Sequence, residues 1–206
     1  MERAVPIIRR LDPRRPDRKA IVDASAALAR GALVVVPTET VYGLAADPRV
    51  PGAVELIYGA KNRARRKPIT LLAADAAQVR AACGGRLGAR AQRLAAKYWP
   101  GPLTLVLKTR AGLEGFRVPD HAVARALLRE AGVPLAVTSA NRSGEAPAVT
   151  ARQAAVALGR RVAVVLDAGK SPGGVPSTVV KVEGRRVEIL REGAIPAAKI
   201  FRTAKA

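Results

Sequence analysis

The chain has 206 residues, with 36 Lys and Arg against 16 Asp and Glu, a formal net charge of +20. Apolar residues make up 49% and charged residues 25%, a globular composition that excludes a wholly disordered chain and allows a real hydrophobic core. The lone cysteine, Cys83, excludes an internal disulfide framework, and with His121 it is too little for a Cys/His zinc site; no apolar run approaches the ~20 residues that span a bilayer, so a cytoplasmic protein without a membrane partner is expected.

The predicted elements follow in chain order. Residues 1–19, with Pro13 and Pro16 and little periodicity, read as an N-terminal arm or edge segment ahead of one domain over 20–206. IVDASAALAR (21–30) has helical spacing and stops at Gly31, a C-terminal cap signal. LVVVP (33–37) predicts a buried strand, and TETVYGLAADP after it predicts a loop. PGAVELIYGA (51–60) places Val54, Ile57 and Tyr58 on one helical face. The basic run KNRARRK then leads through Pro68 into the strand ITLLAA.

Ala-rich stretches at 75–82 and 88–98 predict helices parted by Gly84 and Gly85, and WPGP is a hard break before the strand LTLVLK. A helix over 121–131 and a buried strand at 134–138 precede the loop SANRSGEAPAVT. A helix at 151–158 and a strand at 162–166 come next; AGKSPGGVP then leads into STVVKV, which Gly184 turns back into RVEILRE. Alternating strands and helices with no dividing linker predict a single α/β or α+β domain.

Familiar nucleotide devices are missing. Gly169-Lys170-Ser171 mimics the end of a P-loop, but Val164 stands where the first glycine is required. No two glycines are separated by one residue, which excludes a Rossmann fingerprint. Polar clusters recur instead where apolar strands end: PTET, TSAN, PST and Arg191. Such loops suit a small polar ligand, although Ser, Thr and Asn there also serve plain turn chemistry. Residues 61–110 carry twelve basic residues and one acid, so the surplus charge is concentrated there and calls for an anionic partner. GC-rich coding also favours arginine. In an extended segment Lys61, Arg63 and Arg65 would point one way, and each cation about 4 Å from a phosphate gains on the order of 4 kcal/mol at an effective dielectric near 20.

PTETVYGLAADP (37–48), the Lys-x-Arg of KNRARRKP (61–68), WPGPLTLVL (99–107), RVPDH (117–121), TSANRSGEAP (138–147), PGGVPSTVV (172–180) and ILREGAI (189–195) occur in this order. In them the chain resembles the YrdC-like threonylcarbamoyl-AMP synthases over residues 20–196. The resemblance implies an open, twisted, mixed α/β sheet flanked by helices, with a basic concave face. It implies synthesis of threonylcarbamoyl-AMP and pyrophosphate from ATP, L-threonine and bicarbonate or CO₂, the product passing to a threonylcarbamoyl transferase complex that modifies tRNA. It also implies catalytic residues Lys61, Arg63, Ser139 and Asn141; ATP contacts at Lys61, Arg63, Lys67, Asn141 and Arg191; and threonine contacts at Thr38, Thr40, Arg117, Ser139 and Ser177.

Mg²⁺ is expected to accompany ATP without a protein ligand, and the C-terminal domain of two-domain relatives is expected to be absent. Two other functions share these residues: a non-catalytic module binding double-stranded RNA or tRNA, and a related enzyme using another carbamoyl or acyl substrate. His121 is expected at a helix cap or surface, Cys83 in packing, and Tyr98 and Trp99 as structural anchors. Glu39, between the two threonines of PTET, receives no role.

Overall fold

The computed structural model describes residues 5–205. The strands are β1 (Ile7–Arg10), β2 (Val34–Val36), β3 (Gly43–Ala46), β4 (Thr70–Leu72), β5 (Leu103–Thr109), β6 (Gly112–Arg117), β7 (Leu135–Ser139), β8 (Val164–Asp167), β9 (Thr178–Glu183) and β10 (Arg186–Arg191). The helices are α1 (Arg18–Ala29), α2 (Ala53–Lys61), α3 (Ala76–Ala82), α4 (Ala89–Tyr98), α5 (Ala122–Ala131), α6 (Ala151–Leu158) and α7 (Ala197–Lys205).

Side-chain caps start several helices. Asp17 accepts from the Ala20 amide at 2.8 Å and Asp75 from that of Gln78 at 2.9 Å, while Thr150 and Gln153 form a reciprocal capping box on α6. Gly31, at φ +82°, ends α1 as its position predicts, donating to the Leu28 carbonyl at 2.8 Å.

All ten strands join one sheet in the order β1-β8-β2-β3-β7-β4-β6-β5-β9-β10. Parallel pairs (β1 with β8, β8 with β2, β4 with β6, β5 with β9) are mixed with antiparallel ones, as expected. In the register, Gly43 faces Ser139, Leu72 faces Arg117 and Leu103 faces Thr178.

The helices cover the two faces unequally. On one face α2 and α6 pack on Val35, Leu44 and Ala136, and α3, α4 and α7 pack on Leu103, Leu105, Phe116 and Val180, with Leu71 joining both clusters. On the other face α1 and α5 cover Val34, Val36, Ala45, Leu72 and Val137. Side chains alternate along a strand, so Thr104, Val106, Arg117, Val179 and Lys181 point away from the α3–α4–α7 side. Among the described residues none of these five belongs to an apolar cluster. This part of the sheet therefore has a layer of helices on one face and no second helical layer on the other, where loops leave Thr104 and Arg117 buried and Val106, Val179 and Lys181 half-buried.

Three differences from the sequence reading have physical causes. The predicted loop TETVYGLAADP contains β3, a fully buried GLAA strand with neither alternation nor β-branched residues to announce it. β6 carries two glycines, a Glu and an Arg and draws its stability from β5 and β4, while α7 begins just past Pro196 in a stretch given no element. Within the expected arm, Ile7–Arg10 is an edge strand and α1 already starts at Arg18, so the 19/20 boundary falls inside a helix; residues 1–4 of that arm lie outside the described residues.

Candidate functional site

The turn between β2 and β3 is built by its own hydroxyls. Thr38 Oγ1 donates to the Val41 carbonyl at 2.6 Å and lies 2.9 Å from Thr40 Oγ1. A hydroxyl has one proton, so Thr40 is the donor in that second contact. Thr40 Oγ1 in turn accepts from Arg117 Nη2 at 2.9 Å, giving a one-way chain from Arg117 through Thr40 and Thr38 to Val41. All of Thr38, Thr40 and Arg117 are buried. Arg117, at the end of β6, is steadied by the Gly101 carbonyl, which accepts from its Nε at 3.2 Å. The WPGP break thus supports the site through its backbone.

The loop 172–176 closes over this turn. The amides of Gly173 and Gly174 donate to the carbonyls of Glu39 and Thr40 at 2.9 and 2.8 Å. A Cβ on Gly173 would lie 2.7 Å from the Glu39 carbonyl oxygen, so only glycine permits the approach. Beyond it, Ser177 Oγ lies 2.8 Å from Thr104 Oγ1, and Arg191 Nη2 donates to the Ser177 carbonyl at 2.7 Å. Buried Thr178 was not singled out in the sequence, yet its hydroxyl donates to the Ile195 carbonyl at 2.7 Å and accepts from the amides of Gly193 and Ile195. That clamp fixes the segment following Arg191.

The Lys-x-Arg segment is not extended. Lys61 is the last residue of α2, and Asn62 turns the chain at φ +51°. The side chain of Lys61 is buried at 1% exposure and its Nζ donates to the Ser139 and Asn141 carbonyls and to Asn141 Oδ1. Those three acceptors use its three protons. Asn141 is committed likewise, its Nδ2 donating to the Arg142 and Glu145 carbonyls at 2.8 and 2.7 Å.

The expectation that Lys61 and Arg63 point together therefore gives way to a division of labour. Lys61 and Asn141 tie the loop after β7 to α2, and Arg63 stands beyond the helix, folded onto the Pro68 carbonyl at 2.9 Å. Lys67 is exposed on that loop, and its carbonyl accepts from the Tyr58 hydroxyl at 3.2 Å. Ser139 shares the sheet face of Val137, the face on which Arg117 lies.

Electrostatics bring the pieces together. Burial and the charges of Arg117 and Arg63 all lower the basicity of Arg191. Two guanidinium groups from distant segments thus act on the Arg191 side chain. Burial and the Arg63 charge pull the Lys61 ammonium down to about 8, with Glu145 acting the other way. Arg191 and Arg63 bring positive charge beside these polar hydroxyls, while Arg117 is paired with Glu39 Oε1 at 2.7 Å, an arrangement that can receive a polar, charged ligand.

The earlier structural expectations for other residues divide. Tyr98 and Trp99 anchor the chain, donating to the carbonyls of Lys199 and Leu103 at 3.2 and 2.7 Å, and half-buried Cys83 packs in the α3–α4–α7 cluster. His121 stands at the N-cap position of α5, as expected, but its side chain makes no cap bond and its Nδ1 is buried. No three of His, Cys, Asp or Glu gather as a metal-holding group among the described residues, nor is any described helix long and apolar enough to cross a membrane.

A single mixed sheet with helices on both sides and polar loops at the strand ends defines a protein of α/β type. The family profile for Sua5, YciO and YrdC, described as "Telomere recombination", matches residues 26–193. The chain belongs to this family.

It is 38% identical over 169 residues to a Chromohalobacter salexigens protein named threonylcarbamoyl-AMP synthase, covering 77% of this chain and 90% of that one. It is also 38% identical over 191 residues to a Bacillus subtilis protein of the same name, covering 87% of this chain and 55% of the relative. The solved structure of Sua5 from Pyrococcus abyssi, in complex with L-threonine, superposes with a TM-score of 0.90 at 31% identity, over 96% of this chain and 60% of that one. Against these last two relatives, the chain spans a little over half their length.

Proposed function

We propose that the chain is an L-threonylcarbamoyladenylate synthase. The observation that carries this reading is the convergence of Arg63, Arg117 and Arg191 beside the Thr38–Thr40 turn and Ser177. The likeness to the threonine-bound Sua5 and to relatives named threonylcarbamoyl-AMP synthase supports the choice of substrate.

In the proposed reaction the threonine amine attacks CO₂ supplied by bicarbonate and loses a proton, leaving a carbamate. A carbamate oxygen then attacks the α-phosphorus of ATP and pyrophosphate leaves. Both nucleophiles come from the substrates, so the chain has to bind, orient and neutralise charge rather than supply a nucleophile.

Arg117 is suited to the threonine carboxylate, because a guanidinium forms paired, charge-assisted bonds. Thr40, Ser139 and Ser177 take the rest of the threonine, with Thr38 bracing Thr40. Arg63, Lys67 and Arg191 take the phosphates of ATP. Lys61 and Asn141 act as positioning residues, holding the loop on which Ser139 stands. Mg²⁺ would arrive with ATP, held by phosphate oxygens and water. The product suits a partner complex that transfers the threonylcarbamoyl group to tRNA.

The test is pyrophosphate release with each substrate omitted in turn. Release that needs ATP, L-threonine and bicarbonate together is expected. No release above background with all three present overturns the reading.

A further inference from the structure

Glu39 sits in the middle of the buried turn, and among the described residues its carboxylate pairs with a single cation. Arg117 Nη2 is 2.7 Å from Glu39 Oε1, the same nitrogen that donates to Thr40. Both Glu39 oxygens are shielded from water and, among the described residues, neither accepts an aligned hydrogen bond. The pair has charge attraction without the directed bonds that normally compensate a buried carboxylate. His121 does not supply a second cation: burial lowers its basicity against the opposing pull of Glu39 and Asp120.

Charge accounting shows what such a pair can receive. One cation and one anion together are neutral. A ligand bearing only a carboxylate would place two anions on one guanidinium. A zwitterion brings its own cation, so that both original charges find new partners. Thr40 adds direction. Its proton goes to Thr38, so the lone pair left on its oxygen can only accept, and an ammonium can only donate.

We propose that Glu39 is the amine-recognising residue of the amino-acid site, taking the substrate's α-ammonium while Arg117 takes its α-carboxylate, so that the site selects amino acids over the same skeletons without the amine. This rests on the reading that the site binds L-threonine. In the ligand-free protein Glu39 holds Arg117 as a placeholder, and substrate entry exchanges one ion pair for two.

The experiment is calorimetric titration of the full chain with L-threonine and with 3-hydroxybutyrate, the same skeleton lacking the amine. Wild type is expected to prefer threonine on the order of 10²-fold, the scale of a buried charge contact. Glu39→Gln, nearly isosteric, is expected to weaken threonine by that factor while 3-hydroxybutyrate binds equally well or better. KM for threonine rises accordingly.

Equal loss of both ligands in Glu39→Gln, or an undiminished preference, overturns the proposal. Should that variant not fold, Glu39→Asp serves: it keeps the charge, and the proposal requires it to retain a preference for threonine. Failure of the underlying functional reading looks different, since wild type itself would then bind no threonine and release no pyrophosphate.

Discussion

Lys61 is the residue whose role changes most between sequence and structure. A lysine in a basic run reads as a ligand contact, yet here it is a buried brace whose protons go to the loop carrying Ser139 and Asn141. Its ammonium titrates near 8 in the folded chain against an ordinary value of ~10.4 unfolded. Between those values the unfolded chain holds a proton that the folded chain has released. Stability therefore rises with pH across about 8 to 10.4, and this group contributes no slope below that window.

Urea unfolding at several pH values should show this rise in wild type and lose it in Lys61→Met. An identical slope in the variant would reassign the buried proton. Arg63 is the contrasting case, a loop cation bonded to two nearby carbonyls. Arg63→Ala is expected to lower pyrophosphate formation on the order of 10²-fold, as for loss of one charge-stabilising donor. The melting temperature should move only a few degrees, since part-exposed loop cations contribute little. Full turnover in this variant would remove Arg63 from the site.

At the scale of elements, the site is a meeting of loops, and loops differ in how openly the sequence declares them. The buried strands Val34–Val36 and Leu135–Ser139 are legible because β-branched and apolar runs end abruptly in polar turns. The capped helix Ala151–Leu158 is legible because Thr150 and Gln153 carry its start. β3 is not, since Gly-Leu-Ala-Ala holds its place through neighbours on both sides rather than through propensity.

The residues of the candidate site lie in ordered motifs, although Thr178 was not singled out and Glu39 was given no role. The direction of their hydrogen bonds was not legible, because a hydroxyl's partner depends on contacts such as the one between Arg117 and Thr40, 77 positions apart. The contact of Gly173 with the Glu39 carbonyl belongs here too. Gly173→Ala should push the Thr38–Thr40 turn away from Arg117 and raise KM for threonine about tenfold or more, in line with the cost of small displacements of positioning groups. Steady-state kinetics at saturating ATP would show it, and an unchanged KM would mean the two loops move together.

For the whole molecule, the net charge of +20 far exceeds what the site needs. Arg63, Lys67, Arg117 and Arg191 account for the proposed substrate contacts, and the remaining surplus suits contact with a polyanion such as tRNA. Such contact is expected to weaken steeply between about 50 and 200 mM salt, by 10³-fold or more if six or more phosphates are neutralised. Threonine affinity, set by a net-neutral ligand, should hardly change over that range. Parallel titrations of tRNA and threonine against salt would separate the two, and a salt-insensitive tRNA affinity would argue against a charge-driven surface.

The uneven covering of the sheet has a thermodynamic consequence. Among the described residues, β6, β5, β9 and β10 are backed by α3, α4 and α7 on one side and by no comparable apolar cluster on the other. The proposed substrates, settling there, would complete the layering of this half of the protein, so that their binding energy would also be local folding energy. Amide hydrogens of β5, β6 and β9 should exchange faster than those of β2, β3 and β7 in the ligand-free chain, and slow most when ATP and threonine are added together. A uniform slowing over the whole sheet would mean that binding tightens the entire domain at once. With slowing confined to the thinner half, the chain is two unequal bodies in one sheet: a finished one, and one whose final layer arrives with its ligands.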